Sequence, residues 1–302
     1  QFKDTINALD LKTFLEKNLT LKIPEDAYID NGPIDNKEEL ETECKKADTW
    51  LGSVITYTFG KKNEILDKET LSEWIEISDN SLELNSEKIA EYVDDLAIRY
   101  NTRYHDRKFT TSNGNEITIG GSMNLYGYTI REDAEEEQLT KDIMSGEAVT
   151  RDPLYFKAND WGNPYYTGNR NGKDDLNGTY VEVSISDQHL WYYKNGKLKL
   201  ETDVVTGDVT KNRGTDKGCF PLAYKERNVT LEGGSGSEAW SSPVSYWMPF
   251  YNGEGLHDAS WRSYFGGSIY KGGGSHGCVN MPYSKAEDLY GMIEPGTAVI
   301  VY

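Results

Sequence analysis

Ser275-His276-Gly277-Cys278-Val279-Asn280 decides the reading of this chain, together with Gly255-Leu256-His257-Asp258 upstream. The first run sets a cysteine two residues after a histidine, and His257 lies 21 positions before Cys278. A free thiol is mostly protonated at neutral pH, because its pKa is about 8.5. An imidazole within hydrogen-bond reach can take that proton and leave a strong nucleophile. Covalent catalysis through Cys278 is therefore the first expectation. His257 is the expected base, and His276, so close to Cys278 in the chain, is expected as a wall of the pocket. Gly272-Gly273-Gly274 lead into Ser275. Such glycines let backbone approach the thiol and turn amides toward a substrate. The Gly277 and Cys278 amides are the candidate oxyanion hole. A third group must orient the base, and either the Asp258 side chain or a backbone carbonyl can supply it.

Other chemistries must be weighed against this one. His257, His276 and Cys278 could supply three zinc ligands. A structural zinc site wants a fourth ligand, commonly from paired cysteine spacing, and none is present in the sequence. No metal or cofactor is therefore expected. Cys44 and Cys219 are expected to be small buried hydrophobes, and His105 and His189 structural. Tyr246-Trp247-Met248-Pro249-Phe250 reads as core by default. Its place just before His257 makes one wall of a substrate cleft the second reading.

The rest of the chain frames that site. Its 302 residues suffice for roughly two domains at ~150 each. Aromatic residues make up 12%, too many for a disordered chain. The net charge of −18 argues against a nucleic-acid partner, because phosphate backbones would be repelled. Three cysteines without paired spacing are not a disulfide framework. That usage fits a cytosol or a Gram-positive exterior. No apolar run approaches the ~18 residues of a membrane span. The chain opens at Gln1 rather than Met, and is read as a piece of a longer protein whose anchor would precede it. Oligomeric state is not legible.

Spacing predicts the elements. Asp67 is a candidate N-cap for Leu71, Trp74 and Ile75, and Asn85 precedes Ile89, Val93, Leu96 and Tyr100 at helical spacing. Lys108–Thr111 and Glu116–Ile119 read as strands about the Asn113-Gly114-Asn115 turn. A helix is expected from Asp133 to Met144, with an acidic first turn and a stop at Gly146. Trp161 to Gly178 loses periodicity and reads as linker. After it the chain turns β-rich: Tyr180–Ile185, His189–Tyr193 and an Asn195-Gly196 hairpin turn, with Val204-Val205 continuing the sheet. A short helix is expected from Ser284, with Glu287 completing a capping box, then a final strand after Pro295-Gly296.

These residues resemble the L,D-transpeptidase catalytic motif (YkuD, or ErfK/YbiS/YhnG, family). The resemblance extends to Trp247-Met248-Pro249-Phe250, to His257-Asp258-Ala259-Ser260-Trp261-Arg262 and to the terminal helix and strand. It covers about residues 177–302. Ile55-Thr56-Tyr57-Thr58-Phe59-Gly60, Leu66-Asp67, Trp74 and Phe109-Thr110-Thr111 resemble the peptidoglycan-binding domain often joined to it in Gram-positive enzymes of the enterococcal type.

The resemblance implies an organisation and a reaction. An α+β N-terminal domain (49–158) would follow the tail of a preceding segment (1–48). A linker (159–176) would lead to a mainly β catalytic domain (177–302), a β-sandwich-like mixed sheet with one or two helices. Cys278 would attack the carbonyl of the third stem-peptide residue of a tetrapeptide donor, releasing D-Ala, and the thioester would pass to an acceptor amine as a 3→3 cross-link. His257 would be base and then acid. Gly277, His276, Ser275, Asp258 and Asn280 would shape the oxyanion site and pocket, and Tyr246, Trp247, Met248 and Trp261 the substrate cleft. Carbapenems would acylate the cysteine, and the protein would act on the outer face of the cell envelope. Many family members carry Thr-Pro-x-Gly before an aromatic residue, where this chain has Thr215-Asp216-Lys217-Gly218-Cys219-Phe220. The missing proline is expected to loosen that loop without touching the catalytic positions. A thiol hydrolase of muropeptides and a non-catalytic wall-binding protein are the competing readings.

Overall fold

The computed structural model describes residues 37–78, 81–156, 175–236 and 239–302. It divides into two compact units: residues up to Tyr100 with Ile130–Leu154, and Asn101–Thr129 with Tyr155–Tyr302.

In the first unit, helix α1 (Lys37–Gly52) leads into strands β1 (Val54–Phe59) and β2 (Lys62–Leu66). Helix α2 (Lys68–Ser72) follows, capped as expected by Asp67, whose carboxylate accepts from the Thr70 amide at 2.8 Å. Strands β3 (Ile75–Ser78) and β4 (Ser81–Leu84) pair antiparallel. Helix α3 (Ser86–Tyr100) buries Ile89, Val93, Leu96 and Ala97, the helically spaced face.

Strands β5 (Arg107–Thr110) and β6 (Glu116–Ile119) pair as predicted. They belong to the second unit, although the sequence reading placed them in 49–158. The reason is packing: Phe109 and Ile119 join a core with Cys219, Ala298 and Ile300. Helix α4 (Glu132–Ser145) returns to the first unit and ends on Gly146, whose φ of 72° is the left-handed stop. Strand β7 (Ala148–Arg151) then pairs parallel with β1, giving the order β2-β1-β7. Inside this unit Arg151 grips the buried Glu135 at 2.6 Å, and Tyr57 Oη donates to the same carboxylate at 2.5 Å. Helix α1 runs through the expected 48/49 boundary, and residues 1–36 of the expected tail lie outside the described residues.

Most of the expected linker also lies outside them. Its end is fixed: Asp175 forms a buried ion pair with Arg107 at 2.6 Å. Strands β8 (Tyr180–Ser184), β9 (His189–Lys194) and β10 (Lys197–Asp203) form a meander. Its Asn195-Gly196 turn has φ of 53° and 72°, the type I′ signature that only such residues adopt readily. Val204-Val205 does not extend this strand, which ends at Asp203; Val205 instead forms an isolated bridge to Asn280. Strand β11 (Gly218–Pro221) closes the sheet with the final strand, β16 (Ala298–Val301), in the order β10-β9-β8-β16-β11. A second sheet contains β12 (Glu226–Gly233), β13 (Trp240–Tyr251), β14 (Glu254–Asp258) and β15 (Val279–Met281), in chain order. Helix α5 (Tyr283–Met292) and strand β16 (Ala298–Val301) end the chain.

The two sheets and α5 share one core. Val181, Val183, Leu190 and Tyr192 come from the first sheet, Met248, Leu256, Val279 and Met281 from the second, and Leu289 from the helix. The expected capping box is not formed. Helix α5 has Pro282 at its N-cap and no side-chain cap. Glu287 accepts a hydrogen bond from Tyr246 Oη at 2.6 Å instead, because the helix packs on the aromatic strand β13. Cys219 is buried as expected, but Cys44 is exposed on α1.

Candidate active site

Strand pairing brings the two distant motifs together. Strand β14 pairs parallel with β15, with His257 opposite Asn280 and Leu256 opposite Val279. Cys278 therefore enters the sheet beside Gly255, whose amide donates to its sulfur. The sulfur also sits 3.9 Å from the Gly253 carbonyl oxygen. Gly253 turns the chain with a left-handed φ of +79°, and a Cβ on Gly255 would stand 2.5 Å from the Trp247 ring. His257, Cys278, Asn280, Ser275, His276 and Trp261 line one cleft with Trp240 and Arg262.

His257 is buried, and its Nδ1 lies 2.8 Å from the backbone oxygen of Asp258. A carbonyl only accepts, so Nδ1 carries the proton and Nε2 keeps the basic lone pair. Burial pushes its pKa below the ordinary value, with Arg262's charge acting in the same sense against the Asp258 carbonyl and carboxylate. The ring is neutral at physiological pH. The orienting group left open by the sequence is thus main chain. The Asp258 carboxylate does another job, accepting from the Ser245 and Tyr246 amides at 2.8 Å each.

The Cys278 thiol is part-exposed, and burial pushes its pKa up to about 11. The Gly255 amide opposes that shift and the neighbouring Glu254 adds to it. The resting group is therefore a thiol, which loses its proton only when a base takes it.

The turn that presents the thiol is braced on all sides. Ser275 Oγ donates to the Cys278 carbonyl at 2.5 Å and accepts from the Gly277 amide at 3.1 Å. The Gly277 amide is therefore already engaged, which leaves the Cys278 amide as the candidate oxyanion donor of the two expected. Thr215 Oγ1 donates to the Gly277 carbonyl at 2.5 Å and accepts from the Gly207 amide at 3.0 Å. The Thr215–Phe220 loop expected to be loose is thus pinned to the catalytic turn, and the Asp208 amide donates to the Ser275 carbonyl of the same turn at 3.0 Å.

The remaining expected residues divide. His276 lines the cleft and stacks on Trp240, centroids 4.8 Å apart. Trp261 lines it too, 6.0 Å from the His257 ring. Asn280 lines it with a buried Oδ1 that has no hydrogen-bond partner among the described residues. Trp247 lies behind His257, centroids 5.9 Å apart, and supports the ring. Tyr246 and Met248 do not line the cleft: both face the shared core, since alternate residues of β13 point inward.

Sequence reasoning missed Glu254, Trp240 and Thr215. Glu254 is held by the Asp216 amide at 3.1 Å, and its Oε1 lies 2.6 Å from where a Cβ on Gly277 would stand. Burial pushes its pKa up to about 8. The flanking glycines, Gly253 and Gly255, were the available signal. Nothing local marks Trp240 or Thr215, which reach the site through strand pairing and loop packing.

The chain was compared with known proteins. The L,D-transpeptidase catalytic domain (YkuD) matches residues 178–301, and the family described as "Putative peptidoglycan binding domain" matches residues 36–151. Comparison with curated proteins found no match. A Cys-to-Ser mutant of the Enterococcus faecium L,D-transpeptidase is similar in structure at 34% identity. That match covers 86% of this chain and 99% of that one, with a TM-score of 0.73. The structure of the Ldtfm–avibactam carbamoyl enzyme is similar at 34% identity, covering 87% of this chain and 98% of that one, with a TM-score of 0.75.

Proposed function

The chain belongs to the L,D-transpeptidase family, and from that premise we propose how its own residues carry the reaction. It is a peptidoglycan L,D-transpeptidase. Cys278 is the nucleophile and His257 the general base. As the sulfur attacks the carbonyl of the third stem residue, His257 Nε2 takes the thiol proton. The oxyanion forms against the Cys278 amide. The tetrahedral intermediate collapses, the carbon–nitrogen bond breaks, and His257 returns its proton to the departing amine of D-Ala. A thioester remains on Cys278. An acceptor amine then attacks it, His257 takes a proton from that amine, and the thiol is regenerated as the 3→3 amide forms.

The observation that carries this assignment is the pinned imidazole. Its Nδ1 is fixed by a main-chain carbonyl, and it lines the same cleft as the thiol. Carbapenems acylate the same sulfur in this reading. A carbamoyl enzyme with avibactam is described for the similar structure. Residues 36–151 bind peptidoglycan and keep the enzyme at the cell wall, on the outer face of the envelope. No helix among the described residues is long and apolar enough to cross a membrane.

Mass analysis of products from a purified disaccharide-tetrapeptide tests the reaction. A cross-linked dimer with released D-Ala is the expected result. Tripeptide alone would make the enzyme a hydrolase.

A further inference from the structure

Arg262 is the one cleft residue whose charge the reaction above does not use. It lines the cleft with His257, Trp261, Cys278 and Asn280. Among the described residues its one side-chain hydrogen bond runs from Nη1 to the Gly273 carbonyl, at 2.8 Å. Its Nε is buried and has no hydrogen-bond partner among the described residues. Arg99, Arg107, Arg131 and Arg151 each hold a carboxylate. Among the described residues no carboxylate pairs with Arg262, in a chain with 50 acidic residues.

A half-buried cation without an anion is costly. Burial accordingly pulls the Arg262 pKa below its ordinary value. The cost is recovered when an anion enters. A guanidinium presents a planar fork that matches a carboxylate bidentately. The mechanism brings such a group in. The amine that leaves Cys278's substrate belongs to the terminal D-residue, and the carbon bearing that amine also bears the free carboxylate. Attack by the sulfur therefore delivers a carboxylate to the cleft that Arg262 lines.

We propose that Arg262 binds the free C-terminal carboxylate of the donor's departing D-residue and so selects tetrapeptide stems over stems extended by a further residue. This assignment rests on the transpeptidase reading of the cleft. An extended stem has an amide where the carboxylate should be, and it cannot pair with the guanidinium. Holding the carboxylate also fixes the leaving nitrogen in the cleft that His257 shares.

The test compares two donors that differ only at that group: a stem tetrapeptide ending in D-Ala and the same peptide as its C-terminal carboxamide. The readout is kcat/KM for acyl-enzyme formation, followed by intact mass. Wild type should prefer the carboxylate by at least about tenfold, the worth of one charge-assisted hydrogen-bonded pair. Arg262→Met should bring the ratio of the two donors near one, and Arg262→Lys should leave an intermediate ratio. A merely structural role would slow both donors alike and keep the ratio, which overturns the proposal. So does a wild-type enzyme without preference, a result that needs no variant to fold. Wild type acylated by neither donor would overturn the transpeptidase reading together with the subsite.

Discussion

His257 Nδ1 lies 2.8 Å from the backbone carbonyl oxygen of Asp258, its own neighbour in the chain. The base is thus oriented by main chain, and the Asp258 carboxylate supports strand β13 instead. Asp258→Asn keeps an oxygen that can accept both amides. Its carbapenem acylation rate should stay within about fivefold of wild type. A loss of about 10⁴, the scale seen when a carboxylate fixes the tautomer of a triad histidine, would show that the side chain orients the base.

Burial holds the Cys278 thiol at about 11. At pH 8 roughly one molecule in a thousand carries a thiolate, against about one in ten for a thiol at 9.0. Alkylation of Cys278 by iodoacetamide at pH 8 should therefore be about a hundredfold slower than that of a free cysteine. The rate should still be climbing at pH 9.5. A plateau near neutral pH would mean a resting thiolate and a different role for His257.

Glu254 titrates near 8 and raises the thiol pKa when ionised. Glu254→Gln should speed alkylation of Cys278 a few-fold at pH 9 and change little at pH 6.5, where Glu254 is protonated and, like Gln, uncharged. Asp216, whose amide holds Glu254 and whose charge also raises its pKa, stays in place in the variant. The same group affects stability. Its folded pKa is about 8 and its ordinary value 4.5. Between those values the folded state holds a proton that the unfolded state has lost, so stability falls as pH rises from 4.5 to 8. Glu254→Gln should flatten the decline in Tm over that window. An equal decline in both proteins would place the carboxylate in solvent.

Gly277 has φ of +128° and its added Cβ would stand 2.6 Å from Glu254 Oε1. Gly277→Ala should displace the turn that presents Cys278, cutting acylation by 100-fold or more while costing about 1–3 kcal/mol of stability. Acylation kinetics and thermal melting measure the two. Unchanged acylation would show that the turn tolerates movement.

Much of the site was legible because its chemistry is written in short runs. Cys278, His257 and their glycine-rich approaches are local in sequence, and the type I′ turn at Asn195-Gly196 has few alternatives. What was not legible depended on tertiary packing. Thr215 reaches Gly277 across 62 positions. Glu287 reads as a capping-box partner, yet Tyr246 claims it once α5 packs on β13. The β5–β6 hairpin pairs locally as expected, but its apolar face chose the second unit. The alternation of β13 placed Met248 in the core and left Trp247 behind the base, which spacing alone did not decide.

The assignment of Cys278 as the acylated residue is tested most directly by intact-mass spectrometry, with peptide mapping, after incubation with the tetrapeptide donor. Wild type should gain the mass of the donor less D-Ala, mapped to Cys278, and Cys278→Ala should gain none. An adduct of that mass on Cys278→Ala, at the buried Cys219 or the exposed Cys44, would contradict the account.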